Sequence, residues 1–321
     1  MPLLEIDNLQ LEFGRGPEAA RAVDGVSLTI DEGETLCLVG ESGSGKSVTA
    51  MSIARLIPSP PAYYPGGSIL LQGRDVLKLP ARELRSLRGG VVSYIFQEPS
   101  AALNPVYRIG NQIKEALKLH RPAFATDDEV VRLLKLVGIP APESRIRNYP
   151  HEMSGGMQQR VMIAMALASE PRLLVADEPT TALDVTIQAQ ILELLQDLKQ
   201  RLGMSILLIT HNLGIVGDIA DRVAVMYSGQ IVETAPAAEL LRRPLHPYTR
   251  SLMGSVPQLG HRADRLQAIP GNVPNIGSYP EGCRFHPRCP EAREDCSRQA
   301  PDLLQAGAGR WVRCPYGEAA S

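Results

Sequence analysis

The sequence predicts an α/β fold in which helices cover a mostly parallel sheet. Short apolar runs that indicate buried strands recur along the chain and alternate with stretches of helical periodicity. The runs lie at residues 34–39, 173–176, 206–209 and 223–226, and a clear helical stretch lies at 187–202. Strands that alternate with helices in this way are typical of a parallel sheet with helices on its faces.

Three further segments complete the predicted layout. Residues 3–33 alternate apolar and polar side chains, which predicts an N-terminal antiparallel β-subdomain. Residues 58–67 contain four prolines and two glycines, which predicts a loop. From about residue 108 to residue 168, apolar residues recur at helical spacing, which predicts an all-helical insert. The catalytic domain is expected to span residues 1–242.

Composition restricts the function classes that are open to the chain. Its 321 residues, 44% of them hydrophobic, can hold one substantial α/β domain and smaller additions. A net charge of −2 with mixed signs provides no basic face, which argues against nucleic acid as the main partner. The N-terminus does not resemble a secretory signal, and apolar runs such as 161–168 are far shorter than the roughly 18 residues that span a bilayer. We therefore expect a cytoplasmic protein whose transmembrane partners, where it has them, are other chains.

A phosphate-binding loop lies at residues 40–47, which fit the pattern G-x-x-x-x-G-K-[ST]. An apolar strand precedes this loop, and a stretch without Gly or Pro, residues 46–57, predicts the helix that follows. Such a loop lets backbone N–H groups approach phosphate oxygens, and the helix dipole favours the negative charge. Lys46 would reach the β- and γ-phosphates, and the Ser47 hydroxyl would ligate Mg²⁺. The candidate nucleotide-binding residues here are Gly40, Glu41, Ser42, Gly43, Ser44, Gly45, Lys46, Ser47 and Val48.

Two carboxylates follow the apolar run that begins at Leu173. Asp177 and Glu178 stand where a buried parallel strand would emerge at the carboxyl edge of the sheet, which is the usual ligand side of an α/β fold. Asp177 is expected to hold Mg²⁺ through water. Glu178 is the candidate to polarise an attacking water, because phosphoryl transfer requires positioning and charge stabilisation. Together with the phosphate loop, the pair predicts a nucleotide hydrolase.

A third motif, formed by Ser154, Gly155 and Gly156, opens a helical stretch about a hundred residues after the phosphate loop. On its own, a serine with two glycines at a helix start is ordinary N-cap chemistry. The order of phosphate loop, S-G-G turn and acidic pair resembles the ATPase subunits of ATP-binding-cassette (ABC) machines. That resemblance implies that Ser154 and the following amides face the γ-phosphate held by an opposite subunit. Met157 stands where the superfamily usually has Gln, a departure that leaves these phosphate-binding atoms in place.

The same resemblance implies roles for single residues. Gln97, after an apolar strand, is similar to the glutamine that joins the metal and senses the transmembrane partner. His211 is similar to the switch histidine that contacts the γ-phosphate, and Leu183-Asp184 to the loop that couples the two sites of a dimer. Phe13, the only aromatic residue among the first thirty, is the candidate for stacking on adenine. A place in the core of the N-terminal sheet is the alternative for Phe13.

The last segment, residues 243–321, is rich in Pro and Gly and carries four of the five cysteines. Disulfides are disfavoured in a cytosolic chain, which leaves unligated thiols or one metal centre. We favour a metal centre, because a loop-rich tail with few apolar residues needs such a link. Gaps of five, six and seventeen residues fit the close cysteine pairs of zinc sites poorly, so a [4Fe–4S] cluster is favoured and zinc is the alternative. The candidate ligands are Cys283, Cys289, Cys296 and Cys314.

Two tail segments narrow the resemblance. The H-P-Y-T-R run at 246–250 and the C-x-F-x-P-R-C run at 283–289 resemble the C-terminal extension of peptide-type ABC importer ATPases. Membership would imply a related but distinct second ATPase, two permease subunits and an extracytoplasmic binding protein, with this chain on the cytoplasmic side of the membrane. Nickel or another small solute is the alternative cargo. A non-transport ABC ATPase acting on DNA or ribosomes is a more distant alternative, because this chain has a single cassette with a compact insert and no heptads.

Overall fold

The computed structural model describes residues 2–181, 183–255 and 269–317. The chain divides into two compact units. The first unit comprises Met1–Ile30, Thr35–Lys78 and Ile209–Ser321, and the second comprises Asp31–Glu34 and Leu79–Leu208. Within the expected extension at 243–321, residues 256–268 and 318–321 lie outside the described part of the chain.

Helices and strands alternate along the described chain, as the sequence pattern indicates. The strands are β1 (Leu4–Phe13), β2 (Ala20–Ile30), β3 (Thr35–Val39), β4 (Ala62–Leu71), β5 (Arg74–Asp75), β6 (Val92–Ile95), β7 (Leu173–Asp177), β8 (Ser205–Thr210), β9 (Arg222–Tyr227), β10 (Gln230–Pro236), β11 (Leu304–Gly307) and β12 (Arg310–Val312). The helices are α1 (Lys46–Ser52), α2 (Ala81–Leu87), α3 (Pro99–Ala102), α4 (Ile109–His120), α5 (Asp127–Leu136), α6 (Pro142–Arg145), α7 (Gly155–Leu167), α8 (Val185–Leu202), α9 (Val216–Ile219), α10 (Ala237–Arg242) and α11 (Pro247–Gly254). Among the described residues, none of these helices has the length and apolarity to cross a membrane.

The N-terminal antiparallel sheet lies in the first unit, with the strand order β2-β1-β4-β5. The central strand β1 pairs antiparallel with β2 and β4, so that Leu4 lies opposite Ile30 on one side and Leu71 on the other. All three of these side chains are buried. The alternating pattern of residues 3–33 therefore predicted this subdomain correctly.

The prediction of a loop over residues 58–67 is wrong for its second half, because strand β4 begins at Ala62. Gly67 makes the strand possible. It has φ +87°, and a Cβ at this position would lie 2.4 Å from the carbonyl oxygen of Asn8 on the neighbouring strand β1. The pairing between β1 and β4 shifts register beside this contact. A glycine that reads as a loop residue in the sequence therefore serves a bulged strand.

The first unit also contains strands in the order β11-β12-β10-β9-β3. Strands β3 and β9 are parallel, with Cys37 opposite Val223, as the sequence predicts for the catalytic sheet. Cys37 is fully buried, in agreement with its interpretation as a small apolar residue. Strand β10 is antiparallel to both β9 and β12. Only residues 228–229 join β9 to β10, and so short a connection permits antiparallel pairing alone.

In the second unit, β6 and β7 are parallel, with Ile95 opposite Ala176. Helices α4 to α7 occupy residues 109–167, where the helical periodicity predicted the insert. Helix α7 packs against α3, α4 and α5. Its apolar residues Val161, Ile163 and Ala164 are fully buried, so this helix is the core of the second unit's helical layer.

One predicted helix is shorter than expected. Helix α1 ends at Ser52, whereas the absence of Gly and Pro predicted a helix over residues 46–57. The backbone of Arg55 is left-handed, with φ +48°, and its amide donates to the carbonyl of Ser52 in a closing turn. An arginine gives no sequence signal for such a turn, because helix-ending left-handed residues are usually Gly or Asn.

Candidate nucleotide-binding site

The phosphate loop joins the buried strand β3 to the N-terminus of α1, as the sequence predicts. Gly45 is the N-cap of α1 and has φ +104°, in the region that favours glycine. A Cβ at Gly40 would lie 2.2 Å from the carbonyl oxygen of Met226, so this position admits only glycine. Ser42 and Gly43 are exposed at the tip of the loop. The loop thus presents backbone amides and a helix N-terminus to solvent, which suits an anion.

Lys46 lies against the loop that it follows. Its ammonium group is buried and donates to the carbonyl oxygens of Gly40 at 2.8 Å and Glu41 at 2.9 Å. These bonds hold the charged group beside the loop backbone. The side chains of Ser47 and Val48, in the first turn of the helix, are half-buried.

Two side chains from the tail also reach this loop. The amide of Glu41 donates to the hydroxyl of Tyr248 at 2.9 Å, and the carboxylate of Glu41 accepts from Arg288 at 2.9 Å. Sequence reasoning did not assign a role to either residue. The signal was present, because Tyr248 lies in the H-P-Y-T-R run and Arg288 in the C-x-F-x-P-R-C run.

In the second unit, the acidic pair follows β7 as predicted. The backbone of Glu178 is left-handed, with φ +47°, a sparsely populated conformation for a residue with a side chain. One carboxylate oxygen of Glu178 accepts hydrogen bonds from the Gln97 amide at 3.0 Å and from the Thr181 hydroxyl at 2.9 Å. The fold therefore brings together two of the predicted site residues, Gln97 and Glu178, which lie 81 positions apart.

The S-G-G turn begins helix α7 in the same unit. The Ser154 hydroxyl accepts from the amide of Met157 at 3.4 Å, so the N-cap role is real. Ser154 and Gly155 are nevertheless exposed. A Cβ on Gly155 would lie 3.7 Å from a methyl of Leu183, which brings the predicted coupling loop against the turn. The next residue, Asp184, is exposed and caps α8 by accepting from the Ile187 amide at 3.0 Å.

The remaining predicted contacts with nucleotide lie in the first unit. His211 directly follows β8 and is exposed. Phe13 is the last residue of β1 and is half-buried, opposite Ala20 and Ala62. Its partial exposure distinguishes Phe13 from the fully buried residues of the same strand.

The four tail cysteines come together, as predicted. Cys283, Cys289, Cys296 and Cys314 are half-buried and line one cavity of about 20 Å³. Three of them also line an adjoining cavity of about 230 Å³. Burial, together with the neighbouring thiols, raises the pKa of Cys289 to about 11, and burial is the main cause of the raised pKa of Cys283 and Cys314. In the described part of the chain, however, no group of three or more His, Cys, Asp or Glu side chains has the arrangement of a metal site.

Comparison with known proteins shows the family to which the chain belongs. A family model described as ABC transporter matches residues 23–181, and one described as the C-terminal region of oligopeptide/dipeptide transporters matches 232–296. The chain is 51% identical to the oligopeptide transport ATP-binding protein AppD of Bacillus subtilis, over 97% of this chain and 96% of that one. It is 48% identical to a probable peptide ABC transporter ATP-binding protein of Sinorhizobium fredii, over 97% of this chain and 94% of the relative.

Solved structures show the same relationship for the cassette. A dimeric ATP-binding cassette in a post-hydrolysis state, bound to ADP and phosphate, superposes with a TM-score of 0.64 at 26% identity, covering 73% of this chain and 98% of that one. The cbiO1 protein of Clostridium perfringens, part of an ABC transporter complex, superposes with a TM-score of 0.65 at 26% identity, covering 75% of this chain and 91% of that one.

Proposed function

The chain belongs to the ATP-binding subunits of the ABC transporter family, in the oligopeptide and dipeptide branch, and we propose that it hydrolyses ATP to power the import of peptides. The observation that carries the proposed hydrolysis is the position of the Glu178 carboxylate and the hydrogen bonds that orient it. This carboxylate follows Asp177 at the end of β7 and is held by hydrogen bonds from Gln97 and Thr181. A carboxylate oriented in advance suits the positioning of an attacking water.

The proposed site residues divide the chemistry of hydrolysis among them. The amides of residues 40–47 and the Lys46 ammonium bind the phosphates, while Phe13 stacks on adenine and His211 contacts the γ-phosphate. The water oxygen bonds to the γ-phosphorus as the bond from that phosphorus to the β–γ bridging oxygen breaks. Glu178 accepts the proton of the water. The products are ADP and inorganic phosphate.

Magnesium fits the donor atoms of the proposed site. Ser47 offers a hydroxyl, Gln97 an amide oxygen and Asp177 a carboxylate, all hard oxygen donors of the kind that Mg²⁺ prefers. When bound, the ion neutralises negative charge on the phosphate oxygens. Gln97 would then interact with both the metal and Glu178, which its single amide group can do because the oxygen faces one partner and the NH₂ the other.

A second ATPase subunit, related but not identical, completes each site in this proposal. The exposed Ser154 and Gly155 at the start of α7 present a hydroxyl and backbone amides to solvent. They would face the γ-phosphate held by the partner subunit's phosphate loop. Two permeases and an extracytoplasmic binding protein complete the importer, with this chain on the cytoplasmic face of the membrane.

Reconstitution tests the function directly. The chain should co-purify with two integral membrane proteins encoded by neighbouring genes, and the complex in proteoliposomes should hydrolyse ATP faster when peptide and binding protein are supplied. Stimulation by nickel but not by peptide would move the cargo to the alternative branch. Stimulation by DNA or ribosomes, with no membrane partner, would contradict the transport function.

We also propose that the four tail cysteines hold a [4Fe–4S] cluster, with zinc as the alternative. The donor set fits either, since both bind thiolates, and the four thiols share one cavity. Burial raises the pKa of Cys283, Cys289 and Cys314, which favours the protonated form of these three thiols when no metal is bound. A bound metal centre favours the thiolate form and links the loop-rich tail. Its role is structural, because the motifs of the cassette are complete without it.

A further inference from the structure

Two motifs of the tail converge on a single residue of the phosphate loop. The guanidinium of Arg288 donates to both carboxylate oxygens of Glu41, at 2.9 Å each, which is the bidentate geometry of strong ion pairs. The hydroxyl of Tyr248 accepts from the amide of Glu41 at 2.9 Å. Glu41 is therefore held through its backbone and its side chain by residues more than 200 positions away in the sequence.

Arg288 is fixed in place from several directions. Only 7% of the residue is exposed, and its Nε donates to the carbonyl oxygen of Pro270 at 2.7 Å. One terminal nitrogen also lies 3.3 Å from the hydroxyl of Tyr227. Burial opposes the charge, but the hydrogen bonds to Glu41 and Tyr227 raise the pKa of Arg288 above its usual value. A guanidinium held this firmly restricts the position of the carboxylate that it binds.

Tyr248 is equally constrained. Its ring is fully buried and packs against Tyr227, with ring centroids 4.7 Å apart, and against Phe285 at 5.2 Å. Phe285 belongs to the same C-x-F-x-P-R-C run as Arg288. The packing of these three aromatic rings therefore holds Tyr248 in position for its hydrogen bond to the phosphate loop.

The position of Glu41 bears directly on phosphate binding. Its carbonyl oxygen accepts from the Lys46 ammonium at 2.9 Å, so the anchored residue is also a support of the phosphate-binding lysine. A carboxylate beside a triphosphate repels it unless the charge is neutralised. Arg288 supplies that neutralising charge and the geometry together.

We propose that Arg288 is a positioning residue through which the C-terminal tail sets the affinity of the phosphate loop for ATP. Arg288 neutralises and orients Glu41, and Glu41 in turn orders the loop and Lys46. Because Arg288 adjoins Cys289, a change in the fold of the cysteine-containing tail reaches the nucleotide site through this ion pair. The inference rests on the proposed function, since it concerns the binding of ATP.

A double-mutant cycle on the full-length chain tests the proposal, with the dissociation constant of a fluorescent ATP analogue as the readout. Arg288→Met should weaken binding about tenfold, within the range of coupling for residues in one hydrogen-bonded network. Glu41→Gln should have a smaller effect, and the double variant should recover most of the loss, because it leaves no unpaired carboxylate. Arg288→Lys keeps the charge without the bidentate contact and should fall between wild type and Arg288→Met.

The matched control is Arg298→Met. Arg298 belongs to the same tail and pairs with Glu294, also in the tail, at 2.6 Å. Its side chain is 72% exposed. It should bind the analogue as wild type does. If Arg288→Met is too unstable to purify, the comparison of Arg288→Lys with Arg288→Lys/Glu41→Gln provides the same cycle.

Two outcomes would overturn the proposal. Equal affinities for Arg288→Met, Arg298→Met and wild type would show that the ion pair does not influence the loop. Strictly additive effects of the two substitutions on the binding free energy would show that Arg288 acts only through the stability of the tail. In that case, removal of the Glu41 charge would not restore the affinity lost in Arg288→Met. Failure of the wild-type chain to bind the analogue would instead refute the proposed ATPase function.

Discussion

The side-chain amide of Gln97 donates a hydrogen bond of 3.0 Å to a carboxylate oxygen of Glu178. This bond joins the residue assigned to sensing the membrane partner with the residue assigned to positioning the attacking water. The Thr181 hydroxyl reinforces it, with a bond of 2.9 Å to the same oxygen. A displacement of Gln97 would therefore move the carboxylate directly, and in the proposed transporter this would be a short route from a permease contact to the hydrolysis step.

Glu178→Gln should abolish hydrolysis without preventing ATP binding. The amide oxygen of the new side chain can still accept the hydrogen bonds from Gln97 and Thr181. The geometry of the site should therefore persist while the general base is lost. ATPase activity of the assembled complex should fall by about two orders of magnitude or more, with ATP trapped in a closed dimer. Lys46→Ala is the contrasting variant, and it should lose affinity for nucleotide itself. Near-normal turnover by Glu178→Gln would refute the assignment.

Ser154→Asp separates the two roles of Ser154. Aspartate is as good an N-cap as serine, so helix α7 and the thermal stability of the chain should be retained. The added negative charge would face the γ-phosphate of the partner's nucleotide, and ATPase activity of the complex should fall at least about tenfold. Ser154→Ala removes the hydroxyl from both roles, so it should lose about 1 kcal/mol in stability as well as part of the ATPase activity. Full activity of Ser154→Asp in the complex would leave only the capping role.

Isolated, the chain should be a slow ATPase, because neither half of a composite site is complete alone. Its specific activity should rise with protein concentration or on addition of the partner ATPase. Measurement of phosphate release over a hundredfold range of concentration, with size-exclusion chromatography at each end, checks this. Strong hydrolysis that is independent of concentration, from a chain shown to be monomeric, would contradict the composite site.

Residues 97–107 should receive the cytoplasmic helix of a permease. Val106 and Tyr107 are 72% and 57% exposed, although both are large and apolar. Gln112 holds the segment on α4 by donating to the carbonyl of Tyr107 at 2.9 Å. Cysteines at 106 and 107 should form cross-links to permease loops in an active complex. A cysteine at Leu119, which is 73% exposed on α4, is the control and should not. Equal cross-linking at all three positions would contradict the assignment of residues 97–107 as the docking site.

The tail cysteines should carry metal in protein purified without oxygen. The preparation should be brown, with broad absorption at about 400 nm from thiolate-bound iron and sulfide. Cys289→Ser should lose the colour and the iron, whereas Cys37→Ala, which alters a cysteine buried in β3, should keep both. If elemental analysis finds about one zinc per chain and no iron, the same site binds zinc rather than an iron–sulfur cluster. Four freely titratable thiols and no metal would eliminate the metal centre.

The motifs of the nucleotide site are contiguous in the sequence, and for that reason their local structures were predictable. A loop of glycines before a lysine, a serine at a helix start and a carboxylate after a strand each take their conformation from neighbouring residues. The strand β3, the strand β7 and the helix α8 lie where apolar periodicity places them. Composition and spacing in the tail also indicated a cluster of four cysteines, and the structure brings these side chains to one cavity.

Tertiary structure alone decided the long-range contacts and the exceptions to the pattern. The convergence of Tyr248 and Arg288 on Glu41 depends on how the tail packs within the first unit, which sequence periodicity does not predict. The bond between Gln97 and Glu178 depends on the parallel register of β6 and β7. Likewise, Gly67 belongs to a strand because the backbone of Asn8 approaches it closely. Local sequence sets the conformations available to each segment, and packing between distant segments selects which of their side chains meet.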